Sequence, residues 1–181
     1  MRNDMKKILL TEEQIEKKVT ELATRITEDY AGKNLLAVVI LKGSFIFAAD
    51  LIRKIDLPVE VDFMVVSSYG SGTETSGIVK IIKDLNESIA EKDVLIIEDI
   101  MDSGVTLSNL VEVLKTRQPS SMEICALLNK PERRKAEVDW LNVSALQNTS
   151  YEQYGKQIQA ADHWLKSHTT VDIWTESHDK R

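Results

Sequence analysis

The feature that most constrains this chain is a set of short, wholly apolar runs separated by stretches with helical spacing. "LLAVVIL" at 35–41, "VLII" at 94–97 and "ICALL" at 124–128 have no polar face. A strand in a half-solvated sheet alternates apolar and polar residues, so runs like these require burial on both faces, as in a parallel sheet covered by helices. The intervening stretches supply the covers. "TEEQIEKKVTELATRITEDY", 11–30, opens with a Thr11/Gln14 capping box and aligns Ile15, Val19, Leu22 and Ile26 on one helical face. "SFIFAADLIRKI" puts Phe45, Ala48, Ala49, Ile52 and Ile55 at helical spacing, and "TLSNLVEVLKTR" does the same with Leu107, Leu110, Val111 and Leu114. "VEVDFMVVS", "GIVKII" and "DVLII" read as further strands. The pattern predicts an α/β fold, a mainly parallel sheet with helices on both faces.

With 181 residues, 43% of them apolar, the chain can bury one sizeable core and is short for two ordinary domains. Its 23 basic and 29 acidic residues leave a net charge of -6, which argues against nucleic acid or an anionic membrane as partner. No apolar run approaches the length needed to span a bilayer, and "MRNDMKKILL" lacks a signal-peptide core, so a cytoplasmic protein is expected. The single cysteine, Cys125, cannot form an internal disulfide and reads as a buried thiol.

Chemistry concentrates in "VLIIEDIMDSGVT", 94–106, where three carboxylates follow a buried strand and precede a helix. Ligands of open parallel sheets bind outside the carboxyl ends of the strands. Ser103, Gly104, Val105 and Thr106 would present backbone N–H groups at a helix start, which makes an anion site suited to phosphate. Glu98, Asp99 and Asp102 would repel that phosphate unless they face a divalent cation or sugar hydroxyls. A sugar phosphate meets both demands. Other motifs fail on detail. Gly72 and Gly77 have P-loop spacing but are followed by Ile78 and Val79, and "YGSGTETSG" has Thr75 where G-x-G-x-x-G needs its last glycine. The acids resemble a prenyl-chain diphosphate motif only until the preceding strand is considered. Helix capping would account for one acid but not for three.

"VLIIEDIMDSGVTLSNL" resembles the phosphoribosyl-pyrophosphate (PRPP) signature of type I phosphoribosyltransferases, and the chain from about 8 to about 139 is similar to that family's bacterial hypoxanthine-guanine members. "LKGSFIFAADLIRKI", "VDFMVVSSYGSGTETSG" and "LLNKPERRK" match in order and approximate spacing. The resemblance implies purine salvage: transfer of the phosphoribosyl group of PRPP to hypoxanthine or guanine, giving IMP or GMP and pyrophosphate, with Mg²⁺ as cofactor. It also implies a homodimer or homotetramer. Glu98 and Asp99 match the acids that meet the ribose hydroxyls and the metal. Asp102 matches the catalytic carboxylate near purine nitrogen 7, and Ser103, Gly104, Val105 and Thr106 match the 5-phosphate loop. Leu41, Lys42 and Gly43 match the pyrophosphate loop, whose first peptide bond is often cis. Ser68 and Tyr69 match a lid that excludes water. Lys130 matches the reader of the purine's 6-oxo group, and Arg134 a basic residue near the pyrophosphate. Arg133 and Lys135 read as a solvated charge run.

After "KPERR" the family supplies a hood, patterned like V-G-Y-G-x-D-Y and followed by an arginine, which stacks on the purine. Residues 140–181 contain no such segment, and they hold all three tryptophans and all three histidines. The expected organisation is therefore a core over 1–139 and a divergent tail over 140–181 that is not a separate domain. His163, His168 and His178 lack a metal spacing. Tyr154, Trp140 and Asp162 are the tail's candidates for hood groups. Two functions follow, an active enzyme or a PRPP-binding protein, regulatory or catalytically impaired, without the purine hood.

Overall fold

The computed structural model describes residues 10–68, 79–130 and 133–136. The chain separates into two compact units, Met1–Asn148 and Thr149–Arg181, and every described residue belongs to the first. Tyr69, the boundary expected at 139 and the tail residues named above lie outside the described residues.

Helix α1 (Glu12–Asp29) starts where the capping box puts it, with Thr11 Oγ1 accepting from the Gln14 N–H at 3.2 Å and Gln14 Oε1 accepting from the Thr11 N–H at 2.8 Å. Strand β1 (Leu35–Leu41) is central, helix α2 (Phe45–Ile52) follows it, and β2 (Glu60–Ser68) and β3 (Val79–Lys83) come next. Strand β4 (Asp93–Met101), helix α3 (Val105–Lys115) and β5 (Ser121–Asn129) complete the described elements.

The sheet order is β3-β2-β1-β4-β5. β1 pairs in parallel with β2 and β4, and β4 in parallel with β5, while β3 runs antiparallel on the edge. The three wholly apolar runs are thus the three strands covered on both faces. One face packs Ala37, Val39, Leu95, Ile97 and Cys125 against α1 and α2. The other packs Val38, Ile40, Val94, Ile96 and Ile124 against α3. Each of α3's four buried residues, Leu107, Leu110, Val111 and Leu114, contributes about 1.5–3 kcal/mol by leaving water.

Two expectations are corrected. In α2 the buried stripe is Phe47, Ala48 and Leu51, whereas Phe45 is 52% exposed and Ala49 is also exposed. The helix is apolar nearly all round, so spacing alone allows several stripes, and the sheet beneath selects one. The strand read as ending near Ile97 continues to Met101, so Glu98 and Asp99 belong to β4 itself, where Glu98 is in register with Ala126 of β5. Cys125 is fully buried, and burial pushes its thiol up to about 12, as expected for an inert side chain.

Candidate active site at the carboxyl edge of the sheet

The carboxyl ends of β1 and β4 bring two separate sequence stretches together. The Leu41–Lys42 peptide bond is cis, and Gly43 packs against the acid pair so closely that a Cβ there would stand 2.8 Å from Asp99 Cγ. Only glycine fits at that distance. Ser44 behind it is fully buried and donates its Oγ–H to the Ile40 carbonyl, which ties the turn to β1 before α2 begins. Lys42 and Gly43 themselves are exposed.

Glu98 is partly buried, and its Oε2 is shut off from solvent with no hydrogen-bond partner. Burial raises its pKa well above the ordinary value, and the neighbouring Asp99 carboxylate raises it further through charge and a shared hydrogen bond. Two carboxyl groups can share a hydrogen bond only with a proton between them. Two full negative charges are therefore unfavourable in this pair, and a cation or hydroxyl donors would relieve them.

Beyond β4 the chain turns through Asp102, Ser103 and Gly104 into α3. Gly104 is the N-cap with φ +79°, a conformation that glycine adopts without strain. Among the described residues no side chain caps N2 or N3 there, although Ser103 Oγ accepts from the Val105 N–H at 3.4 Å. Uncapped first-turn amides at a helix start are the donors that an anion site uses.

Lys130 and residues 133–136 fold back onto this turn. The Lys130 N–H donates to the Met101 carbonyl at 2.9 Å, and the Lys135 and Ala136 N–H groups both donate to Ser103 O, at 2.9 and 3.2 Å. Lys130 is only 7% exposed, an unusual degree of burial for a lysine. Arg134 lies against the glycine cap, with its Cδ 3.1 Å from where a Gly104 Cβ would be, and it donates to Asn129 Oδ1. Burial lowers the Arg134 pKa, and the Asp102 carboxylate opposes that fall. Arg133 is exposed, as a solvated run implies, and its Nε also stands 3.3 Å from Asp102 Oδ1. Nothing in "ERRK" distinguishes this arginine, because only the docking of 133–136 onto the turn reveals its partner.

The geometry thus brings Gly43, Glu98, Asp99, Asp102, the turn 103–106, Lys130 and Arg134 to one edge of the sheet. Ser68 ends β2, a strand parallel to β1, and pairs with Val79 of β3. Among the described residues no three acidic, histidine or cysteine side chains form a metal cluster.

The family model for the phosphoribosyl transferase domain matches residues 5–159. The chain belongs to this family. The hypoxanthine-guanine phosphoribosyltransferase of Staphylococcus aureus is 54% identical over 139 residues, 77% of this chain and 78% of its own. A crystal structure of a hypoxanthine phosphoribosyltransferase from S. aureus superposes with a TM-score of 0.74 at 54% identity, covering 77% of this chain and 76% of that one. A hypoxanthine-guanine phosphoribosyltransferase of Bacillus anthracis, 44% identical, gives 0.75 over 80% and 85%. The phosphoribosyltransferase sheet and its signature loop are therefore the ones that the sequence announced.

Proposed function

We propose that this phosphoribosyltransferase moves the 5-phosphoribosyl group of PRPP onto hypoxanthine or guanine, forming IMP or GMP and pyrophosphate. The observation that carries the reading is the packing of Gly43 on Asp99, which sets a basic loop beside an acid pair at the edge of the sheet from which α3 starts. PRPP has anionic groups at both ends and hydroxyls between them, in the same order. In this reading the amides of Ser103, Gly104, Val105 and Thr106 hold the 5-phosphate, and Leu41, Lys42, Gly43 and Arg134 hold the pyrophosphate. Glu98 and Asp99 face the ribose hydroxyls. Lys130 donates to the 6-oxo group of the purine, a contact that an amino group at that position could not accept. Asp102 holds the proton of nitrogen 7 while another ring nitrogen attacks the anomeric carbon and pyrophosphate departs. Ser68 and Tyr69 belong to the lid that keeps water from the oxocarbenium-like centre.

The acid pair suits Mg²⁺. A buried carboxylate oxygen without a partner, beside a second carboxylate, offers what Mg²⁺ takes from proteins: one or two acids, the rest of its shell coming from water and substrate oxygens. When bound, the ion would neutralise charge on the leaving pyrophosphate.

Incubating the protein with PRPP, Mg²⁺ and either base, and measuring nucleotide and pyrophosphate, tests the reading; absence of both products would remove it. A second reading, PRPP binding with impaired transfer, draws support from the tail. Relatives align over 139 of the 181 residues, and 140–181 contain no V-G-Y-G-x-D-Y-like segment. A loosely held base can cost about 100-fold in rate. Replacing 140–181 with a relative's hood is expected to raise turnover and purine affinity together, and a wild-type rate equal to the relative's would dismiss the impairment.

A homodimer or homotetramer is the proposed assembly. Phe45 and Ile46 of α2 are 52% and 56% exposed, and Val61 and Phe63 of β2 are exposed in register with Ala37 and Val39, on the sheet face that α2 covers. Sedimentation of the wild type and of Phe45→Asp tests this. A cytoplasmic location with neither nucleic acid nor membrane as partner is the proposed setting, and the net charge of -6 argues for it. Among the described residues no helix is long and apolar enough to cross a membrane.

A further inference from the structure

Asp102 has two oxygens in unlike surroundings. Oδ1 is buried, with Arg133 Nε 3.3 Å away but not aligned as a hydrogen-bond donor. The side chain as a whole is 41% exposed, so the oxygen that meets solvent is Oδ2. Arg133 is itself held from behind. Its N–H donates to the Lys130 carbonyl at 3.1 Å, and the residues after it are pinned to Ser103 O by two backbone hydrogen bonds. The guanidinium therefore reaches Asp102 from a segment anchored to the same turn that carries Asp102.

We propose that Arg133 is a positioning residue for phosphoribosyl transfer: it grips the inner oxygen of Asp102 so that the outer oxygen is presented to the purine. An ion pair with both partners about two-fifths exposed adds little to folding stability. Its value is in geometry. A carboxylate free to rotate about its side-chain torsions would spend much of its time with neither oxygen aimed at nitrogen 7, and proton transfer depends steeply on alignment. Arg134, one residue on, feels the Asp102 charge but donates to Asn129 and lies against Gly104, so the direct approach to the inner oxygen is left to Arg133.

The inference rests on the transfer activity proposed above, and the test separates the two. Steady-state kinetics with varied hypoxanthine are compared for wild type, Arg133→Ala, Arg133→Lys, Asp102→Asn and the double variant Arg133→Ala/Asp102→Asn, with PRPP binding measured on each. Arg133→Ala is expected to lower kcat roughly tenfold while PRPP affinity and the KM for hypoxanthine hold. Arg133→Lys should recover part of that loss. In the Asp102→Asn background, removing Arg133 should change nothing further, because the group it positions is already gone. Arg133→Gln, which keeps most of the side chain's bulk without its charge, serves the same purpose if the alanine variant does not fold. An unchanged kcat in Arg133→Ala or Arg133→Gln overturns the inference, as does a loss that multiplies with Asp102→Asn or a change confined to KM. No nucleotide from wild type overturns the transfer activity itself, and the positioning role with it.

Discussion

Asp62 and Glu98 are both poorly exposed acids on strands of the same sheet, and the structure treats them in opposite ways. Asp62, 7% exposed on β2, accepts from the Phe63 N–H at 2.7 Å, from the Asn86 N–H at 2.6 Å and side-chain amide at 3.0 Å, and from Lys83 Nζ at 3.4 Å. Burial pushes its pKa up, but the Asn86 and Phe63 amides and Lys83 push harder the other way, and the net direction is down. Glu98 has burial and a second carboxylate acting together, and an oxygen without a partner among the described residues. A carboxylate that the fold satisfies is there for the fold. One left unsatisfied is poised for something that arrives from outside.

The contrast breaks most sharply at turnover. Asp102→Asn is expected to slow the chemical step by about 100-fold or more, with PRPP binding and melting temperature nearly unchanged. Single-turnover kinetics beside a binding isotherm check it, and an unaltered rate would take Asp102 out of the reaction. Asp62→Ala is the reverse case: it strands the Asn86 and Phe63 donors and should cost about 2 kcal/mol of stability. Urea unfolding measures that loss, while kcat per folded molecule is expected to stay at the wild-type value. A fall in kcat would mean that Asp62 serves the site as well.

A smaller effect is expected at Lys130. Lys130→Ala should raise the KM for hypoxanthine about tenfold, the scale of one lost charge-assisted hydrogen bond, and leave PRPP affinity in place. Loss of PRPP affinity alone would reassign this lysine. The smallest change is thermodynamic and concerns the apo protein. The folded state keeps a proton on Glu98 above the pH at which the unfolded chain releases it, near the ordinary value of 4.5. Glu98's contribution to stability is therefore complete below that pH and is lost as pH rises through the raised folded value. Glu98→Gln lacks this titration. Melting curves at pH 5 and pH 8 without Mg²⁺ should show the variant gaining on wild type at the higher pH. An equal difference at both would mean that the acid pair is not strained.

Much of this protein is determined along the chain itself. The capping box at Thr11 sets the start of α1, and the wholly apolar runs at 35–41, 94–97 and 124–128 fix which strands are central. The signature turn at 102–106 is equally local, because Gly104 takes the left-handed conformation that opens α3 without help from distant residues. These features depend on residues within a few positions of one another, so the sequence carries them completely. The tertiary structure decided the rest. It chose Phe47 over Phe45 as the buried face of α2, since an all-apolar helix has no preferred side until a sheet lies beneath it. It set Gly43 against Asp99, 56 positions along the chain, because parallel pairing of β1 with β4 brings their carboxyl ends side by side. It also turned one arginine of "ERRK" towards Asp102 and the other towards Gly104, a distinction created only when 133–136 dock on the Ser103 carbonyl.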